Sequence, residues 1–400
     1  MSPPLEFSDK PPIWTRGFVL LFVSGFFFGM SFWPYVLLPV YLQDLGANLP
    51  TVGILMGIAP LAGILVRPLV GTALDRLGRR KCLTAGGLIF VATNLLYLGV
   101  ASINPLLIAV RLIHGVAMGI LMATFFTLAA DLSPEARRTE GIAVYGISGH
   151  VSGTIGVMMG EAIIGWRGYP ALFLVCASLS LASLLLSLPV PDPGHHRNRR
   201  ASRGFFHLAM NPTLRAPLAA TVGFALSLSS YMVFLKPYAV SAGIHSVTGF
   251  FVAYTLAAVG FRLVGGGWPD RFGFRRLLYP AMVSMSLGLV CLAAFPTAAG
   301  LIAAGVLCGT GHGFIFPILS AMMIAGSGHE RRGTLMTLFT MLFDFGLFVG
   351  APFLGFIAEV GHYGTMYAVA ACIPIASLAA VAVSASAGMT ESVRGENALP

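Results

Sequence analysis

The sequence predicts an all-α membrane protein of twelve transmembrane helices, arranged as two pseudo-symmetric bundles of six. Three observations predict it: a composition that cannot clothe a water-soluble surface, a run of apolar stretches of membrane-crossing length, and an internal repeat that divides the chain in two. Of 400 residues, 56% are hydrophobic and only 10% charged, with a mean hydropathy of +0.85. Soluble domains carry roughly 25% charged residues. With fewer than half that share, the chain needs another solvent, and the lipid bilayer supplies it. The apolar cores fall at 17–43, 51–74, 83–103, 105–130, 142–165, 170–190, 216–240, 249–268, 277–296, 300–325, 333–358 and 365–386. Each is about the length a helix needs to cross roughly 30 Å of hydrocarbon. Strand spans would need about ten residues with polar alternation, a pattern the sequence lacks.

The first apolar run is too long for the core of a signal peptide, and the residues before it are polar and contain proline, so it is expected to stay as a true span. Orientation follows from the cations. Of 24 Lys and Arg, 19 fall at the termini or in alternate connections: Lys10 and Arg16, Arg76 to Lys81, Arg137 and Arg138, Arg197 to Arg215, Arg271 to Arg276, Arg331 and Arg332, and Arg394. Arg167 alone lies in a connection on the other side, and Arg67, Arg111, Lys236 and Arg262 lie within spans. The positive-inside rule then puts both termini in the cytoplasm, with the chain in a bacterial inner membrane. A wrong span count would scramble this pattern. The net charge of +9 is therefore a topology signal, split among short loops, and predicts no nucleic-acid site. Five cysteines (Cys82, Cys176, Cys291, Cys308, Cys372) sit in or beside spans without a CxxC pair, which suits packing rather than metal or redox chemistry.

The repeat is read at the ends of spans 2 and 8. Arg67, Gly71, Asp75, Arg76, Gly78, Arg80 and Lys81 recur as Arg262, Gly266, Asp270, Arg271, Gly273, Arg275 and Arg276, at a constant offset of 195. Gly115 and Gly119 of span 4 align with Gly309 and Gly313 of span 10, at an offset of 194. The expected organisation is a first half over 1–190, a cytoplasmic linker over 191–215 rich in Pro, His and Arg, and a second half over 216–400. Parallel halves of this kind place a solute site at their interface, near the bilayer midplane.

The segment Gly71-x3-Asp75-Arg76-x-Gly78-Arg79-Arg80 resembles the loop 2–3 signature of the major facilitator superfamily. Arg111-x2-His114-Gly115-x3-Gly119 resembles a second signature of its proton-coupled members, and Asp131-x5-Arg137-Arg138-x2-Gly141 fits the loop after span 4. The resemblance covers nearly the whole chain and is nearest to small bacterial efflux permeases of the drug and sugar exporter type. It implies the major facilitator fold, alternating access and proton antiport. It also implies that the first-half loop latches the outward-facing state against the start of span 11, at Arg331-Arg332-Gly333, and that Arg80 pairs with Asp131. In one departure, span 5 has Gly146, Gly149, Gly153, Gly156 and Gly160 but not the proline of the antiporter element, which bears on antiport rather than on transport.

The candidate residues are weighed against plainer roles. Gly71, Asp75, Arg76, Gly78, Arg80, Asp131, Asp270, Arg271 and Gly273 form the candidate cytoplasmic gate; the plainer role is anchoring of topology. Charges inside spans are costly and functional by default. Asp344, about eleven residues into span 11, is the only carboxylate so deep and is the first candidate for proton coupling; a fixed ion pair or packing hydrogen bond is the alternative. Glu161, His114, His150 and His312 are further proton candidates, against packing or, for Glu161, simple contact with water. Arg111 keeps its proton at working pH and suits an anionic solute or a nearby acid. Arg67 and Arg262, equivalent by the repeat, suit a structural role at the inner rim. Lys236 can reach the interface by snorkelling or touch solute. Phe28, Phe32, Trp33 and Tyr35 offer an aromatic wall for an amphipathic solute, against lipid-facing packing.

The expected function is secondary active transport, proton-coupled efflux of a small amphipathic organic molecule, with uptake or uniport as the alternative. A membrane enzyme or receptor is the different class. No nucleotide loop, HExxH or nucleophile motif is present, and long soluble loops are absent, so no enzyme activity, cofactor or metal is expected. The expected partners are a small solute, protons and the lipid bilayer, with no nucleic acid, and the chain is expected to act as a monomer.

Overall fold

The computed structural model describes residues 11–192, 214–265, 268–325 and 329–396, so most of the expected linker lies outside the described residues. The side chains of Asp75, Asp270, Arg331, Arg332 and residues 380–396 lie outside them too. All regular elements among the described residues are helices. They are α1 (Arg16–Asp44), α2 (Leu49–Leu77), α3 (Arg79–Leu96), α4 (Pro105–Asp131), α7 (Arg215–Ser241), α8 (Thr248–Gly265), α9 (Phe274–Ala294) and α10 (Ala298–Ile324), plus two long runs, Arg138–Ser187 and His329–Glu396, and short turns between them.

Local chemistry sets the starts. Thr15 caps α1 by accepting from Phe18 N at 3.2 Å, Asn48 caps α2 by accepting from Thr51 N at 3.1 Å, Asn104 caps α4 from Leu107 N at 3.2 Å, and Thr297 caps α10 from Gly300 N at 3.1 Å. Pro105, at the first position of α4, forfeits an N–H that would have had no helical partner. The third span ends as a helix at Leu96 rather than 103, because Ser102 and Asn104 are taken up in the turn that starts α4. Within α1, Pro34 and Pro39 flank a tight 3₁₀ stretch at Trp33–Leu37.

Ten described helices are long and apolar enough to cross a membrane. Two of them are too long to cross once. A 50-residue helix reaches about 75 Å, well beyond the roughly 30 Å of hydrocarbon. Each is broken by one residue, Gly168 (φ 75°, ψ −174°) in the first and His362 (φ 67°, ψ 169°) in the second. Divided there into α5 (138–167), α6 (169–187), α11 (329–361) and α12 (363–396), the ten helices become twelve segments. Leu65, Leu69, Leu263, Val264 and Val360 are each two-thirds exposed or more, an outward apolar surface that suits lipid.

The backbone repeats as the sequence does. Gly78 (φ 89°, ψ 159°) and Gly273 (φ 88°, ψ 144°) make the same left-handed turn at the same place in each bundle. The breaks at Gly168 and His362 stand 194 residues apart. A Cβ on Gly115 would lie 2.1 Å from the Ala59 carbonyl oxygen, and one on Gly309 would lie 2.2 Å from that of Tyr254. In each bundle, then, α4 or α10 presses its backbone onto α2 or α8 through a glycine. The five cysteines are free thiols, and Cys82, Cys176 and Cys308 are buried.

These contacts leave no room for a methyl group. Gly115→Ala and Gly309→Ala should each lower stability by about 1–3 kcal/mol, read as a fall in the melting temperature of the purified protein. Gly71→Ala, whose added carbon meets nothing within 4 Å, should cause no fall.

Candidate functional site

The two bundles meet most extensively between α2 and α11, and also between α5 and α8 and between the end of α1 and α7. Glycines set the first approach: a Cβ on Gly53 would lie 2.3 Å from Ala351 O, and one on Gly355 would lie 2.5 Å from Leu49 O. Midway along α11, Asp344 reaches across to α2. Its Oδ2 accepts from Arg67 Nε at 3.0 Å and Nη2 at 2.5 Å, with 16% of each side chain exposed. Each charge lowers the cost of holding the other in a low-dielectric interior. The rim role expected for Arg67 is therefore corrected: it is the partner of the deepest described carboxylate.

The second pair carries a different set. Thr154 Oγ1 of α5 lies 2.7 Å from Thr255 Oγ1 and 3.0 Å from the Phe251 carbonyl, with one proton to give to either, and Thr255 Oγ1 also lies 3.2 Å from His150 O. The rings of His150 and His312 meet across the bundles at 5.6 Å. Tyr254 OH is hydrogen-bonded to Nδ1 of His312. Phe224, Phe316 and Phe343 line the second-bundle side, with Phe224 5.2 Å from the His312 ring.

Toward the ends of the helices away from the basic loops, two glutamates close the interface. Glu161 of α5 accepts from Lys236 Nζ (2.5 Å), Val247 N (3.0 Å), Ser246 Oγ (2.6 Å), Thr248 N (3.2 Å) and Thr248 Oγ1 (2.8 Å). It caps the start of α8 in the opposite bundle. Glu359 of α11 accepts from Leu49 N at 3.0 Å, the first residue of α2. The arrangement is reciprocal: each bundle sends one carboxylate onto the positive N-terminus of a helix in the other. The described hydrogen bonds that join the bundles all lie between the Arg67–Asp344 pair and this end.

The family model of the Major Facilitator Superfamily matches residues 18–298 and 218–397, together nearly all of the chain. The chain belongs to the major facilitator superfamily. It is thus a multi-pass membrane transporter of small solutes. An uncharacterised transporter of this superfamily from Methanocaldococcus jannaschii is 22% identical over 374 residues, covering 91% of this chain and 94% of its own. The staphylopine export protein of Staphylococcus aureus is 22% identical over 356 residues, covering 85% and 88%. Among solved structures, the nucleoside transporter NupG superposes with a TM-score of 0.76 at 15% identity, covering 92% of this chain and 100% of that one, a likeness of fold alone.

Several residues singled out in this superfamily member stand elsewhere than expected. The pairing of Arg80 with Asp131 is corrected. Arg79 Nε meets Asp131 Oδ2 at 3.0 Å, while Arg80 is exposed with its backbone N–H 3.4 Å from Asp192 Oδ2. The turn at Gly78 starts α3 at Arg79, so Arg79 faces the end of α4 and Arg80 lies about 100° further round the helix. Glu161 does not stand free in water, and Lys236 is its partner rather than a lone cation. Arg111 is buried and gives its donors to the carbonyls of Leu55 (2.9 Å) and Met56 (2.8 Å) and to Tyr97 OH (3.3 Å). Met56 O lacks its usual helical donor because the residue four on is Pro60, so Arg111 repairs α2. His114, packed 4.6 Å from Tyr35 and bonded to Tyr97 OH at 3.2 Å, lies inside the first bundle. Phe28 and Tyr35 lie there too, Phe28 against Phe90 and Phe125, and Tyr35 donating to Asn94 Oδ1 at 2.7 Å. Phe32 and Trp33 are half-buried, Trp33 against Gly153 of α5. Of the gate, Gly78 and Gly273 form the paired turns, Gly71 and Arg76 are exposed, and Arg271 stacks on Phe272 at 5.3 Å. Three residues that the structure brings forward were not singled out from the sequence: Pro60, Glu359 and Tyr254. Glu359 could have been found as the acid near the end of span 11 that matches Glu161 near the end of span 5.

If the two glutamates hold this end shut, removing their charge should open it. In a Cys372→Ser background, Val52→Cys, buried near this end, should react slowly with a membrane-impermeant maleimide. Adding Glu161→Gln and Glu359→Gln should speed that labelling several-fold, and Glu161→Gln alone should do so less.

Proposed function

We propose that this transporter couples efflux of a small amphipathic organic solute to proton entry, by rocking the halves 1–190 and 216–400 about their interface, with 191–215 as a cytoplasmic linker. In this reading the protein is a monomer in a bacterial inner membrane with both termini in the cytoplasm, and the glutamate-capped end faces the periplasm. The cation distribution among the connections supports that orientation. The conformation is then closed to the outside. The similarity to a staphylopine exporter supports outward transport.

The observation that carries proton coupling is the Arg67–Asp344 bridge. It is an acid at mid-depth, half-buried between the bundles, held by a partner on the opposite bundle. A proton on Asp344 neutralises it, removes the attraction to Arg67 and lets α11 part from α2. Loss of the proton restores the bridge. One protonation step thereby reads as a change in how firmly the halves are held, which is what a proton-driven carrier requires. Arg67 is the cation with which the carboxylate pairs when the bridge re-forms. The candidate gate residues Gly71, Asp75, Arg76, Gly78, Asp270, Arg271 and Gly273 would act at the cytoplasmic end in the opposite phase of the cycle.

Asp344→Asn keeps a hydrogen-bonding side chain but cannot titrate. It should retain solute binding and passive exchange in proteoliposomes and lose accumulation driven by a pH gradient. Wild-type accumulation with an unchanged pH profile in this variant would remove Asp344 from the coupling step. A wild-type protein indifferent to the pH gradient would favour uniport. Reporter fusions after Gly204 and Pro400 should both report cytoplasm.

A further inference from the structure

The repeat that relates the two bundles is broken at one functional position. Arg67 of α2 recurs as Arg262 of α8, 195 residues on. Arg67 meets a carboxylate from α11, the helix that packs against α2 from the other bundle. By the same symmetry, Arg262 should meet a carboxylate from α5. Landmarks on α5 and α11 recur at offsets of 194 (Gly168 and His362) to 198 (Glu161 and Glu359), so the position equivalent to Asp344 falls within 146–150. That stretch reads Gly146-Ile-Ser-Gly149-His150 and carries no acid.

The structure agrees with the register. A Cβ built on Gly146 would have Arg262 Nη1 as its nearest neighbour, at 3.9 Å, and one on Gly149 would meet nothing within 4 Å. The arginine therefore reaches α5 as its mate reaches α11, in contact with the Gly146 position and beside an open slot at Gly149. Among the described residues, its one hydrogen bond runs from Nε to the Gly313 carbonyl at 3.3 Å, which leaves both Nη groups without an acceptor. The titratable groups in its field are His150, His312 and Tyr254. None is an anion that could neutralise it. A lone guanidinium at this depth is costly unless a counter-charge arrives.

We propose that Arg262 anchors the carboxylate of the transported solute, which enters the slot beside Gly146 and Gly149 and completes the ion pair that Asp344 makes in the other half. The solute is then an organic acid. Its carboxylate takes the two free Nη donors, while Tyr254, His150 and His312 stand beside it as polar neighbours. Its apolar body lies toward Phe224, Phe316 and Phe343. Arg67 is unavailable for this role because Asp344 already occupies it. The proposal rests on the reading that the chain carries a small amphipathic solute, but not on protons or direction.

Binding read at equilibrium in detergent, with no gradient, separates the two. Purified protein should be stabilised against heat by benzoate or 1-naphthoate and not by benzamide or 1-naphthamide. Arg262→Gln should weaken the carboxylate response roughly 10–100-fold, and Arg262→Lys should retain part of it. Gly146→Asp supplies the missing acid from the protein itself. It should abolish the carboxylate response while melting no lower than wild type without ligand, which keeps the test decisive even where Arg262→Gln does not fold. Equal responses to acid and amide, no response to either acid, or wild-type carboxylate binding in Arg262→Gln or Gly146→Asp would overturn the proposal. Failure of the pH-gradient assay with intact carboxylate binding would count against proton coupling alone.

Discussion

A charge inside the hydrocarbon layer needs a partner, and in this protein the partner of the deepest described acid is in the other bundle. Asp344 on α11 and Arg67 on α2 supply each other's counter-charge, which lowers the cost of holding either at this depth. The interface between the bundles is organised around that requirement. Glycines at 53, 57, 63 and 355 bring α2 and α11 close enough for the two side chains to meet. Polar contacts between α5 and α8 hold the other flank at a comparable depth. The result is an interface in which a few directional contacts are set within apolar packing that runs from one bundle to the other.

That economy follows from the solvent. Lipid gives no hydrophobic drive for helices to associate, so close packing and hydrogen bonds carry the association. Within each bundle the packing is dense and many polar groups are satisfied locally, the Tyr231, Ser286 and Tyr367 hydroxyls being buried without a partner among the described residues. Ser24 and Ser183 exchange hydrogen bonds with each other's backbone at 2.8 Å, and Ser31 Oγ donates to Cys176 O at 2.7 Å. Arg111 mends the gap that Pro60 leaves in α2. Such contacts tie the helices of a bundle to one another.

Much of the fold was legible in the sequence, because lipid and the positive-inside rule impose signals that are local or statistical. Span lengths, the loop cations and the repeat needed no knowledge of contacts, and the Gly78 and Gly273 turns kept the equivalence their sequence promised. Pairings were less legible. Asp344 was visible as a lone deep acid, but nothing along the chain joined it to a residue 277 positions away. His150 and His312 were each readable as packing histidines, and only the folded chain sets their rings together. The error between Arg79 and Arg80 was one of phase: a single residue rotates a helical side chain by about 100°, and the spacing of a motif does not fix where the helix begins. Arg111 looked like a free cation because its acceptors are backbone carbonyls, which leave no trace in composition.

The reciprocal glutamates have a mechanical consequence. Glu161 grips α8 and Glu359 grips α2, so each leaf of the door carries both a pin and a socket. A sideways slip that eased one grip would drag the other pin further into its socket, and only a rotation that separates both together leaves two helix N-termini free to take up water. Partial opening is therefore the strained condition, with one cap lost and the other still holding. In the proposed cycle, a closure built this way resists leakage through half-open geometries and releases as a unit, which favours two distinct resting shapes over a continuum between them.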